Sequence, residues 1–205
     1  MTHLTSWNAA GRRLTCCLVL GASLLSGCSG SEATVATSRL PQLVLQPKDV
    51  GEGYKQFDEG RLAFSDQPTG DRADPARFGR VDGWKARYQG EPGSGPAAGE
   101  LVESRADLFT DSEGAHKELA ALRQELTGEQ GGGGTLVPQK GLGNEAFVLT
   151  RPPLPGGQAT FVTVAWRSAN VTATVLLAGT RTNADKEAVR LARAQQERIS
   201  RASQK

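Results

Sequence analysis

Apolar and polar side chains alternate most cleanly in two neighbouring stretches. Trp84, Ala86 and Tyr88 are interleaved with Lys85, Arg87 and Gln89, and Val102, Ser104, Ala106 and Leu108 with Glu103, Arg105 and Asp107. A period of two marks strands with one buried face, and the Gly/Pro/Ser-rich run 90–99 between them reads as the loop of a hairpin. Residues 159–167 and 171–178 predict a second hairpin, with Ala169 and Asn170 as its loop and Asn170 tolerating a left-handed backbone. That register sets Trp166 opposite Ala173, Val164 opposite Val175 and Val162 opposite Leu177, all on one face that must be core. The other face, with Phe161, Thr163, Ala165, Arg167 and Leu176, is mixed in character.

The period changes to that of a helix after Thr110, where Thr110 and Glu113 have capping-box spacing and Ala115, Leu119, Leu122 and Leu126 form one stripe. Gly128 closes that helix, and four glycines at 131–134 form a loop. A last helix starts near Asn183 and carries Ala184, Ala188, Leu191, Ala192 and Ile199 on one side. Pro47 opens a short helical turn that Gly51 and Gly53 end. Weaker strands are expected over 54–64 and 146–150, with a polar surface loop over 65–80. The sum is an α+β domain: a largely antiparallel sheet of five to six strands with two main helices packed on it.

The amino end has a different pattern. Arg12 and Arg13 precede the apolar run 14–25, followed by Ser26, Gly27 and Cys28, with no acid before Glu32. Twelve residues are too few to cross a bilayer, which takes about 20, so the run reads as an export signal and not as a permanent span. Leu25-Ser26-Gly27-Cys28 looks like the lipobox at which a bacterial lipoprotein is acylated and then cleaved. The expected layout is a signal peptide over 1–27, a flexible tether over 28–39 from lipidated Cys28, and one domain over 40–205. Two acyl chains give stable anchoring where one gives only marginal binding. The expected location is therefore the extracytoplasmic face of the cell membrane.

Composition narrows the function. Without Arg12 and Arg13 the chain has 22 basic and 22 acidic residues, so no basic domain is left to track nucleic-acid phosphates. Cys28 is the only cysteine after the signal, which excludes an internal disulfide. His116 is the only histidine there, and its helical neighbours Ala120 and Arg123 supply no ligand or base, so neither a metal site nor a cofactor is expected. No G-x-S-x-G or P-loop motif occurs. Glu113, Glu118, Glu125, Asp185, Glu187 and Glu197 sit near basic partners at helical spacing, as solvated faces do. Glu145, at the start of an apolar strand, is the one carboxylate with a candidate buried role. Trp84, Tyr88 and Trp166 occupy core positions; the alternative is that one of them lines a ligand cleft, with Arg167, next to Trp166 on the opposite face, as an anion contact.

The strings Gly143-Asn144-Glu145-Ala146-Phe147 and Trp166-Arg167-Ser168-Ala169-Asn170-Val171, with a closing amphipathic helix, resemble a pattern in bacterial envelope lipoproteins and in the extracellular sensor domain of mycobacterial receptor kinases. The layout matches over 43–199, but this chain lacks the paired cysteines of the kinase domain. The resemblance implies a PsbP-like α/β sandwich serving as a non-catalytic binding or interaction module and carries over no functional residue; the candidate ligand contacts Trp166, Arg167 and Glu145 come from the reading of the residues above. The expected partners are the membrane, through Cys28, and a small or lipidic ligand held between the sheet and the 131–134 loop. The alternatives are an accessory partner in an envelope complex, docking through Phe161, Ala165 and Leu176, and, behind it, a hydrolase.

Overall fold

A computed structural model describes residues 34–63, 66, 72, 74–128 and 133–204, which lie within one compact unit, Glu32–Lys205. The expected export signal, Cys28 and the first part of the expected tether lie outside the described residues.

Among the described residues seven strands form one antiparallel sheet: β1 (Tyr54–Arg61), β2 (Arg80–Gly90), β3 (Leu101–Phe109), β4 (Thr135–Pro138), β5 (Glu145–Arg151), β6 (Thr160–Ser168) and β7 (Val171–Gly179). Their order across the sheet is β1-β2-β3-β7-β6-β5-β4. Two meanders meet at the centre, where β3 pairs with β7, and the helix α3 (Ser112–Thr127) carries the chain from β3 to the far edge. The expectation of five to six strands is thus corrected to seven. The strand missing from the sequence reading is β4, four residues on the edge beside the glycine run, of which only Leu136 is even partly buried. A segment that short shows no alternation, and its pairing with β5 defines it.

The sheet faces differ in chemistry. On one, Ala86, Tyr88, Val102, Ala106, Val162, Val164, Trp166, Ala173, Val175 and Leu177 form a continuous core. It is covered by α4 (Ala184–Ser203) and by two short turns, α1 (Leu40–Leu43) and α2 (Pro47–Val50). Ser104 breaks the apolar pattern of this face for a reason. It accepts from the Leu45 backbone N–H at 2.9 Å and donates to Gln195 at 2.8 Å, while Tyr88 donates to the Leu45 carbonyl at 2.7 Å. Buried polar groups persist when they are paired in this way, and these pin the link between α1 and α2, and α4, to the sheet.

On the opposite face Leu119 and Leu122 of α3 pack on Phe147 and Ala165. The β1–β2–β3 half of that face carries charge instead. Lys85 lies 2.8 Å from both Asp58 and Asp66, and Arg87 reaches Glu103, Asp66 and Asp58 at 2.6, 2.8 and 3.0 Å. Burial alone would raise the Asp66 pKa, but hydrogen bonds from Lys85, the Ala63 backbone and Arg87 outweigh it and hold it at about 2. A carboxyl whose folded pKa is depressed contributes stability that is complete above its unfolded value and is lost as pH falls through the folded one. Urea unfolding should therefore show stability constant above about pH 5 and falling from about pH 4 toward pH 2. Asp66→Asn should flatten that slope.

Ordered structure begins earlier than residue 40. Val35 is buried, and its N–H donates to Asn170 Oδ1 at 2.7 Å while Asn170 Nδ2 donates to its carbonyl at 3.3 Å. The helix α3 is capped by Asp111, which accepts from the Gly114 N–H at 2.7 Å, one residue later than the Thr110 box expected from sequence.

Candidate functional site

The β6–β7 hairpin has the register expected from sequence, with Trp166 opposite Ala173, Val164 opposite Val175 and Val162 opposite Leu177. Its left-handed residue is Ala169, at φ 54°, and not Asn170. The loop is held there from outside. Asn144 Oδ1 accepts from the Ala169 N–H at 3.0 Å, the Asn144 N–H donates to the Arg167 carbonyl at 2.8 Å, and Arg167 donates to the Ala169 carbonyl at 3.1 Å. Gly143, at φ 58°, passes so close that a Cβ there would lie 2.2 Å from the Arg167 carbonyl oxygen.

The three residues singled out as ligand contacts do not share a cavity. Trp166 is fully buried under α4, with its indole N–H donating to Gln196 at 2.7 Å. Arg167 and Glu145 are a cross-strand pair on the other face, 2.7 Å apart. His116 Nδ1 lies 2.7 Å from the same Glu145 oxygen, so the histidine's partner comes from a strand and not from its own helix. Burial pushes the Glu145 pKa up, but His116 and Arg167 more than offset it, and the net shift is downward. Glu145 lines a small depression of about 200 Å³ together with His116, Leu119, Ala120, Arg123 and Phe147, and Trp166 and Arg167 do not.

A larger groove, about 450 Å³, opens on the α4 face between that helix and the β4–β5 edge. Its origin is geometric. A helix about 10 Å wide covers roughly two strands spaced about 4.8 Å apart, and α4 lies over β6 and β7. The outer strands β5 and β4 are left with one wall. Val137, Val148 and Val189 give the groove an apolar lining, Thr135, Gln139 and Thr150 add polar groups, and Asp185, Lys186 and Arg193 rim it. It begins directly after Gly134, close to where the sequence reading set a ligand, but it is walled by α4 and takes in none of the three singled-out residues.

No protein-family model matches the chain, and no curated protein matches it. Among solved structures, the extracellular domain of PknH from Mycobacterium tuberculosis superposes with a TM-score of 0.58 at 14% identity, over 82% of this chain and 100% of that one. The chain shares the fold of that extracellular domain. At that identity the likeness establishes fold alone. The two strings that carry the sequence resemblance are the two halves of the clasp just described, Gly143-Asn144-Glu145 against Trp166 to Asn170, and in this chain their visible work is structural.

Sequence reasoning missed the buried charges. Glu118, read as a solvated helix residue, is buried; burial raises its pKa, and Arg72 at 2.6 Å is its partner. Glu100 is also buried, gripped through both oxygens by Arg181 at 2.8 and 2.9 Å and accepting from Tyr54 at 2.5 Å. Both partners come from distant segments, so no local spacing announces them. Ala165 is covered by α3, which removes it from the exposed patch expected with Phe161 and Leu176. Among the described residues no group of three or more His, Cys, Asp or Glu is placed to hold a metal, and no helix is long and apolar enough to cross a membrane.

Proposed function

We propose that this chain is a non-catalytic binding or sensing module, tethered by lipid on Cys28 to the extracytoplasmic face of the cell membrane, whose ligand occupies the groove between α4 and the β4–β5 edge. The groove carries the reading. Its volume of about 450 Å³ falls within the ordinary range for small-molecule sites, and its lining combines three valines with three uncharged polar and three charged side chains. Two cations against one acid at the rim favour an amphiphile with an anionic head. The likeness in fold to an extracellular receptor-kinase domain supports placing it outside the cytoplasm. The buried carboxylates Glu100 and Glu118 are held by arginine in structural pairs, which favours binding over catalysis.

A thermal-shift screen with envelope lipids and fatty acids tests the proposal. A ligand at about 100 times its Kd adds about 2.7 kcal/mol to stability. For a chain of this size that is a rise of about 8 °C. Val148→Trp fills the groove and should abolish the rise. A screen in which nothing stabilises the wild type, or in which the variant responds equally, rules the groove out.

A further inference from the structure

At the carboxyl end of α4 a second concavity, about 210 Å³, is lined by Arg39, Gln42, Arg198, Arg201 and Ala202. We propose that it seats the phosphate of an anionic phospholipid, docking this end of the domain on the membrane to which the chain is tethered. Three guanidinium groups converge there from two segments far apart in sequence. Arg198 and Arg201 come from α4, where a cation also offsets the negative end of the helix dipole. That explanation does not extend to Arg39, which sits in the short 3-10 helix Thr37–Arg39 just after Val35, whose backbone is held by Asn170.

The acids nearby leave the pocket positive. Asp49 engages the Arg198 Nε at 2.5 Å, and no hydrogen bond within the described protein takes up its two terminal nitrogens. Glu197 stands 4.0 Å from Arg201, with both side chains largely exposed. The Arg39 guanidinium donates to Gln42 at 3.3 Å, an uncharged partner.

Position argues for a lipid over a soluble anion. Val35 follows Cys28 by seven residue steps, and a chain of that length spans at most about 25 Å. The Arg39 N–H donates to the Ala36 carbonyl at 2.9 Å, so the pocket adjoins the point where the tether enters the fold. Wherever the anchor holds the chain, this end of the domain stays within reach of headgroups, where each arginine contributes about 1 kcal/mol of attraction to an anionic surface.

The inference rests on Cys28 as the anchor, and the test separates the two. The chain from residue 28, carrying Cys28→Ser, keeps every described element and no lipid; it is sedimented with vesicles of phosphatidylcholine alone or with added phosphatidylglycerol. Binding is expected only to the anionic vesicles. Arg39→Gln with Arg201→Gln should weaken it about thirtyfold, with an unchanged melting curve, while Lys55→Gln with Arg61→Gln on β1 should leave it unaltered. Equal loss in both double variants means diffuse attraction and overturns the pocket. Inorganic phosphate bound by the protein without any gain from phosphatidylglycerol means a soluble-anion site and overturns the membrane assignment. Failure of the anchor itself is read separately, as wild-type protein that leaves membranes no less readily than Cys28→Ala in cell fractionation.

Discussion

Trp166→Ala is expected to lower the unfolding free energy by about 4 kcal/mol, the cost of emptying a large aromatic site in a packed core. For this chain length that is a fall of about 12 °C in Tm. The residue is fully buried between β6 and α4, and its indole N–H is satisfied by Gln196. Trp166→Phe, which keeps most of the packing and gives up the hydrogen bond, should cost far less, about 1 kcal/mol. Both are read from thermal melts, and ligand affinity measured well below the transition should be unchanged. The opposite pattern, affinity lost with Tm intact, would return Trp166 to the wall of a ligand cleft.

Asn170→Ala is the second large effect, about 3 kcal/mol. One side chain there serves three buried backbone groups: the N–H and carbonyl of Val35 and the carbonyl of Phe109, the last at 2.8 Å. Deleting it leaves those groups without their partner, at a cost of about 1–3 kcal/mol for each that finds no substitute. Hydrogen exchange distinguishes this loss from general loosening. The Val35 amide should exchange many times faster in the variant at temperatures where the central β3–β7 amides remain protected. A variant that loses less than about 1 kcal/mol and leaves Val35 protected would show that the clasp is not what fixes the entry of the tether.

How much of this was legible in the sequence depended on how local the cause was. The β6–β7 pairing follows from alternation and a two-residue loop, and its register was readable residue by residue. The cap of α3 was readable to within one position, because Asp111 and Thr110 compete for the same role. The edge strand β4 was not, since four residues on a sheet edge are defined by the partner and not by their own pattern. The candidate contacts divided along the pleat: neighbours in sequence, Trp166 and Arg167 point to opposite faces, so they cannot flank one ligand on this sheet. Glu145, read as the one carboxylate with a candidate buried role, is half-buried in an ion pair with Arg167 and His116, whereas the fold buries the Glu100 and Glu118 carboxylates. The groove could not be seen because it is a gap left by the width of α4, a property of how layers stack.

The most direct test of the binding proposal is native mass spectrometry of the full chain extracted from its own membranes in mild detergent, beside the Val148→Trp variant. The account predicts a non-covalent small-molecule adduct on the wild type that is missing from the variant, with both proteins equally folded. An identical spectrum from the two, with the adduct on both or on neither, would contradict it.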